Sequence, residues 1–319
     1  MTTAARNQNF AAANGIRIHY VEQGSGFPVI MLHGFPELWY SWRHQLPALA
    51  QAGYRAIAPD VRGYGQTDAP REIEAYNMLN LTADVIGLLD SLGEEKAVVV
   101  GHDWGAPIAW HCALLYPDRF AAVAALSVPY MGRSPAPPIQ ILGHMFANNF
   151  FYMLYFQEPG VAEAEMEADP RRSLRLFMHM ASAQAPTGTG LMGKPKDAKL
   201  FDAVPEPVQP SPWLTDEDLD YYTAQFQRTG FRGGLNRYRN MDRDWEELAH
   251  LAGATVQQPA LYVAGERDPV RLLAQVDTMK AAVPNLKEIV TLPDCGHWTQ
   301  QEKPEEINQL LIDFLREVA

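Results

Sequence analysis

The segment VVVGHDWGAPIAW, residues 98 to 110, sets an aspartate, Asp103, between Gly101 and Gly105 where a valine run meets a helix-like stretch. A G-x-[nucleophile]-x-G pattern at a strand-to-helix junction is that of a sharp elbow, whose small neighbours let the central side chain stand exposed on a strained turn. Here the centre is a carboxylate rather than the commoner serine, and that changes the reaction class. Attack on acyl carbon would give a high-energy anhydride, whereas displacement at saturated carbon gives an alkyl ester, and a carboxylate is ionised at pH 7 without a base. Releasing that ester needs activated water. His297, in the turn of LPDCGHWTQ, is the candidate base, and Asp268, in VAGERDPV, is the acid that would orient it. The tetrahedral oxyanion of ester hydrolysis needs donors. The Trp104 amide, directly after the nucleophile, is one candidate, and the Phe35 amide in MLHGFPELW is the other. Taken alone, His33-Gly34-Phe35-Pro36 is equally a tight turn. Pro36, Trp104 and Trp298 are expected to touch substrate.

These groups need elements to hold them. Short apolar runs (IRIHYVE, PVIMLHG, YRAIAPD, AVVVGHD, AAVAALS, PALYVAGE and LKEIVTLPD) read as strands. Between and after them lie helical patterns at 78–92, 104–116 and 304–317, the last opened by Pro304. Alternation of this kind predicts an α/β fold, a mostly parallel sheet flanked by helices. From about Gly132 to Asp242 the alternation stops and the chain turns rich in aromatics and methionine at helical spacing. We read 132–242 as an inserted helical cap over a core of 1–131 and 243–319. The stretch Pro186 to Pro212, with six prolines and three glycines, reads as a long loop within it.

Composition narrows the partners. The 319 residues carry a formal net charge of −12, which disfavours nucleic acid. Two cysteines, Cys112 and Cys295, and an N-terminus without an apolar signal core predict a cytoplasmic location without disulfides. The apolar region 134–157 is broken by Pro135, Pro137 and Pro138, so no membrane span is expected. DVRGYGQTD lacks the lysine and the third glycine of nucleotide-binding loops and reads as structural. No spacing of His, Cys and carboxylates suggests a metal, and no cofactor is expected. A homodimer is left open.

The segments HGFPELWYSWRHQLPALAQAGYRAIAPDVRGYG, GHDWG, YFQEPGVAEAE, GFRGGLNRYRNM and DCGHWTQQEKPEEINQ carry a resemblance to the epoxide hydrolases of the α/β-hydrolase superfamily. The chain is similar to the C-terminal hydrolase domain of the mammalian soluble enzymes from about Ile30 onward, least so at 166–215. The order of Asp103, Asp268 and His297 is also that of the α/β-hydrolase fold. The resemblance implies two cap tyrosines that protonate the epoxide oxygen, mapping to Tyr152 and Tyr238. Without it Tyr152 and Tyr155 cannot be separated, because they share a helix face. Ala106 stands where the family often has a second glycine, and 319 residues leave no length for the mammalian phosphatase domain. The implied substrate is a small lipophilic epoxide, with water as co-substrate. The competing readings are a haloalkane dehalogenase, which shares nucleophile and base, and a non-catalytic ligand-binding protein of the same fold.

Overall fold

The computed structural model describes residues 7–186, 190–207, 211–273 and 276–319. Ten strands follow one another along the chain: β1 (Asn7–Ala13), β2 (Ile16–Gln23), β3 (Pro28–Leu32), β4 (Arg55–Pro59), β5 (Ala97–His102), β6 (Phe120–Leu126), β7 (Asn149–Phe151), β8 (Met192–Pro195), β9 (Ala260–Gly265) and β10 (Leu286–Leu292). Eight form one sheet in the order β1-β2-β4-β3-β5-β6-β9-β10. From β4 to β10 all neighbours are parallel, and β1 and β2 add an antiparallel edge. All seven expected strands are present.

β3, β5 and β9 are buried along their whole length, which is why they read as unbroken apolar runs: helices cover both faces. Met78–Ser91 and Gly105–Leu115 pack on one face, and Gln45–Gln51 and Pro304–Val318 on the other. In the last helix Ile307, Leu311, Phe314 and Leu315 are buried, a stripe at helical spacing. β1 was not anticipated from its small and polar residues. It is fixed by Asn14 and Gly15, both at positive φ (47° and 76°), which close a two-residue hairpin onto β2.

Between β6 and β9 the chain leaves the sheet and forms helices from Pro138–Met145 to Met241–Glu247, the last of which runs across residue 242. The stretch expected to be a loop instead contributes β8, paired antiparallel with β7; its residues 187–189 and 208–210 lie outside the described ones. The sequence of β8, MGKP, has no β-branched or aromatic residue to announce it. A third apolar cluster joins Phe156, Phe177 and Phe231 of this segment to Phe35, Leu38 and Trp298 at the carboxyl edge of the sheet. Each such ring contributes about 4 kcal/mol of gross hydrophobic stabilisation, so the inserted helices are firmly seated over that edge. Among the described residues no helix is long and apolar enough to cross a membrane.

Candidate active site

Asp103 directly follows β5 at φ 49°, a left-handed conformation that costs a non-glycine residue about 1–2 kcal/mol. Its flanking glycines are dictated by close approach. A Cβ on Gly101 would lie 2.1 Å from the Gly105 carbonyl oxygen, and one on Gly105 would lie 2.0 Å from that of Leu32. The Ala106 amide donates to the Asp103 carbonyl at 3.0 Å and starts the next helix. The elbow thus lifts the carboxylate above β3 and β5.

Four strand ends meet there. The Phe35 amide, beyond β3, donates to Asp103 Oδ1 at 2.7 Å. The Trp104 amide makes no hydrogen bond to that carboxylate among the described residues. His297, beyond β10, brings Nε2 to 3.3 Å from Asp103 Oδ2, and its Nδ1 lies 3.1 Å from both oxygens of Asp268, beyond β9. Asp268 is buried and also accepts the Val270 amide at 2.9 Å. Burial alone would lower the His297 pKa, but the carboxylates of Asp268 and Asp103 outweigh it and hold the imidazole well above its ordinary value. Burial likewise opposes ionisation of Asp268, and the facing His297 overcomes it and keeps that carboxyl low. Both shifts describe an imidazolium clamped between two carboxylates.

The inserted helices bring two phenols to the same place. The Tyr152 and Tyr238 rings meet edge-on with centroids 5.9 Å apart, and both are buried. Burial first, and then the charge of Asp103, push both hydroxyls well above their ordinary pKa, so each stays a proton donor. Tyr238 is delivered by a helix that lies hard against the sheet edge. A Cβ on Gly233 would stand 2.6 Å from the Gly63 carbonyl oxygen, and one on Gly234 2.5 Å from the Phe35 ring. Tyr155 turns elsewhere and donates to Glu165 at 2.6 Å.

The residues expected at the substrate differ in setting. Trp104 is half-buried and meets Tyr238 edge-on at 5.1 Å. Pro36 is buried after a cis peptide bond. Trp298 is fully buried, donates to the Met178 carbonyl at 2.6 Å and packs 4.7 Å from the His297 ring. It braces the His297 ring and the inserted segment. The DVRGYGQTD loop is built around Asp60, which accepts from the Trp39 and Gln66 amides and pairs with His19 at 2.7 Å.

Sequence reasoning missed a buried polar network beneath the site. Glu37 accepts from His102 Nδ1 at 2.6 Å, from the Gly34 amide at 3.2 Å, and from the Gln300 and Gln301 side chains at 3.0 and 2.9 Å. His102 Nε2 donates to the His297 carbonyl at 2.8 Å. One carboxylate therefore ties together the loop of Phe35, the elbow of Asp103 and the turn of His297. Burial pushes the Glu37 carboxyl up, but the adjoining His102 ring holds it at about 2. The signal was the ionisable residues within HGFPE and GHDWG, polar types at positions that must be buried.

Comparison with known proteins agrees with this geometry. Residues 28–304 match the family model of the alpha/beta hydrolase fold. The chain is 48% identical to epoxide hydrolase A of Mycobacterium tuberculosis over 98% of each chain. It is 44% identical to bifunctional epoxide hydrolase 2 of Sus scrofa, of which it spans about half the length (53%). The crystal structure of epoxide hydrolase A from Mycobacterium thermoresistibile superposes with a TM-score of 0.95 at 49% identity, covering 99% of both chains. The chain belongs to the epoxide hydrolases of the α/β-hydrolase fold.

Proposed function

We propose that this chain opens lipophilic epoxides to vicinal diols through an alkyl ester on Asp103, and that residues 132–242 cap a core of 1–131 and 243–319. The single observation that carries the reading is the pair of buried phenols, Tyr152 and Tyr238, beside a carboxylate on an elbow. An epoxide oxygen leaves its carbon as a strongly basic alkoxide, and a neighbouring acid removes that barrier. Asp103 Oδ attacks one ring carbon, the C–O bond breaks, and a tyrosine proton passes to the oxygen. The His297 imidazolium returns a proton to the tyrosinate. Esterification also removes the negative charge of Asp103, one of the two that held the His297 proton, so the imidazole becomes a base when a base is required. It takes a proton from water, and hydroxide adds to the ester carbonyl. The Phe35 and Trp104 amides hold the oxyanion, and the diol leaves with Asp103 ionised and His297 protonated again. Asp268 keeps the ring in register throughout.

A halide would leave without a proton and would ask for N–H donors alone, yet the Trp104 ring here stands edge-on to the Tyr238 phenol at 5.1 Å, beside a proton donor for which a halide has no use. That favours the epoxide over the haloalkane. A cytoplasmic setting accords with Cys112 and Cys295, which are free and buried. One turnover in oxygen-18 water tests the mechanism: the first diol carries light oxygen taken from Asp103, and heavy oxygen stays on the protein. Heavy label in the first diol, with none retained, would overturn it. Bromide from a short bromoalkane without diol from styrene oxide would transfer the chain to the dehalogenases.

A further inference from the structure

Between β5, which leads to Asp103, and β9, which leads to Asp268, lies β6, and the residue that follows it is Ser127. In the register of the sheet Leu126 stands opposite His102, so Ser127 is level with Asp103. Ser127 is fully buried and has φ 71°, in the left-handed region that a side chain rarely adopts. Across it the Val128 amide donates to the Leu126 carbonyl at 2.9 Å. A turn closed in this way with positive φ at its centre is the rare, strained form of the γ-turn. Such a conformation persists only where its surroundings over-determine it. Here they do: the Ser127 amide donates to the Val263 carbonyl of β9 at 2.8 Å, and the Ser127 carbonyl accepts the buried Tyr262 hydroxyl at 2.9 Å. Glycine would hold the same turn without strain, so what the position asks for is the side chain.

That side chain reaches the turn of His297. The Ser127 hydroxyl donates to the His297 carbonyl at 2.8 Å, where it joins His102 Nε2 at 2.8 Å and the Thr299 amide at 2.9 Å. Thr299 belongs to the turn itself, so two donors tie that turn to the sheet, one at the end of β5 and one just beyond β6. The same hydroxyl stands near Asp268: burial opposes ionisation of that carboxyl, His297 does most to overcome it, and Ser127 adds to the effect. Ser127 thus grips the backbone of His297 with its side chain while its own backbone is clamped by the strand that leads to Asp268. We propose that Ser127 is a positioning residue for hydrolysis of the Asp103 ester, holding the His297 ring in line with Asp268 when water is activated. The proposal rests on the epoxide-opening reading. Ester formation draws on Asp103, Tyr152 and Tyr238, none of which Ser127 hydrogen-bonds among the described residues, so a displaced His297 ring slows release of diol and largely spares consumption of epoxide.

Quenched-flow single turnovers of styrene oxide with excess protein follow consumption of epoxide and appearance of diol separately. Ser127→Ala keeps the strain and loses the hydroxyl, whereas Ser127→Gly loses both. In each variant diol release is expected to slow about tenfold or more, as for a displaced catalytic group, while epoxide consumption changes by less than about threefold. The thermal midpoint of Ser127→Gly should lie about 2–4 °C above that of Ser127→Ala, and a role in stability alone would make activity follow the same order. Diol release at the wild-type rate in either variant, equal slowing of both steps, or activity recovered in Ser127→Gly relative to Ser127→Ala would overturn the proposal. Should Ser127→Ala not fold, Ser127→Gly carries the first two criteria by itself. A wild-type chain that makes no diol overturns the epoxide-opening reading instead, and its own trace shows this before any variant is compared.

Discussion

The loops at the sheet edge and the inserted helices hold their functional groups by different forces. At the edge, Asp103, His297 and Asp268 are pinned by a forced elbow, by Phe35, and by the Glu37–His102 network, all at hydrogen-bond distance. In the insertion, Tyr238 is held by rings: Phe156 at 5.0 Å, Trp104 at 5.1 Å, Phe35 at 5.6 Å and Tyr152 at 5.9 Å. Polar networks have few acceptable geometries, whereas aromatic packing yields gradually when a contact changes. Chemistry placed on the first should fail outright when altered, and chemistry placed on the second should decline by degrees.

The sharpest division comes from Asp103, the proposed nucleophile. Asp103→Asn is expected to reduce diol formation from styrene oxide by at least about 10⁴-fold, with the fold unchanged by circular dichroism. Next is His297→Gln, which should lower kcat by about 10³-fold or more while leaving the first step possible. Intact-protein mass spectrometry then shows the mass of one substrate added to the chain. A His297→Gln protein that stayed unmodified would mean that the base acts before the ester forms, and the edge would no longer divide into two separable steps.

The insertion should respond less. Tyr238→Phe and Tyr152→Phe each leave the other phenol in place, so kcat/KM falls about 10- to 100-fold for each, and about 10³-fold or more for the pair. Were either single change as damaging as Asp103→Asn, the contrast between the two regions would be broken.

The same contrast explains what was legible in the sequence. The elbow, the strands and the strand ends that bring Asp103, Asp268 and His297 together could be read because backbone constraint writes itself locally: Gly101 and Gly105 are demanded by contacts within a few residues of the turn or with the adjoining β3. The seven anticipated strands announced themselves by composition, most plainly β3, β5 and β9, which are buried throughout. The insertion could be read as helical, but the roles of its aromatics could not, since Tyr152 and Tyr155 differ only in what lies across from them. β8 was hidden because its pairing depends on β7, which lies 41 residues earlier in the chain. Glu37 was missed for a related reason: its partners His102, Gln300 and Gln301 stand far away in sequence.

Glu37 gives a prediction of intermediate size. Its carboxyl is held at about 2 in the folded chain against an ordinary 4.5, worth about 3 kcal/mol of stability at neutral pH. The folded value is the lower one, so this contribution is complete above about pH 4.5 and is lost as pH falls toward 2. Glu37→Gln should lower the denaturation midpoint at pH 7 and flatten the dependence of stability on pH between those limits. A variant with the wild-type slope would assign the acid sensitivity to other carboxylates.

Tyr155→Phe should have the smallest effect, and it settles the ambiguity that the sequence left between two tyrosines on one helix face. Its hydroxyl donates to Glu165, whose carboxylate also accepts the Leu200 and Phe201 amides at 3.0 Å each. Removing one of three donors from a carboxylate that keeps the other two costs about 1 kcal/mol, read as a shift of the urea midpoint. With Tyr152 and Tyr238 intact, kcat/KM on styrene oxide stays within about twofold, which is the spread expected when no reacting atom is touched. A fall of the size expected for Tyr152→Phe would show that the proton reaches the epoxide through the other member of the pair, and that ring packing had placed the donor less firmly than the polar edge places its proposed base.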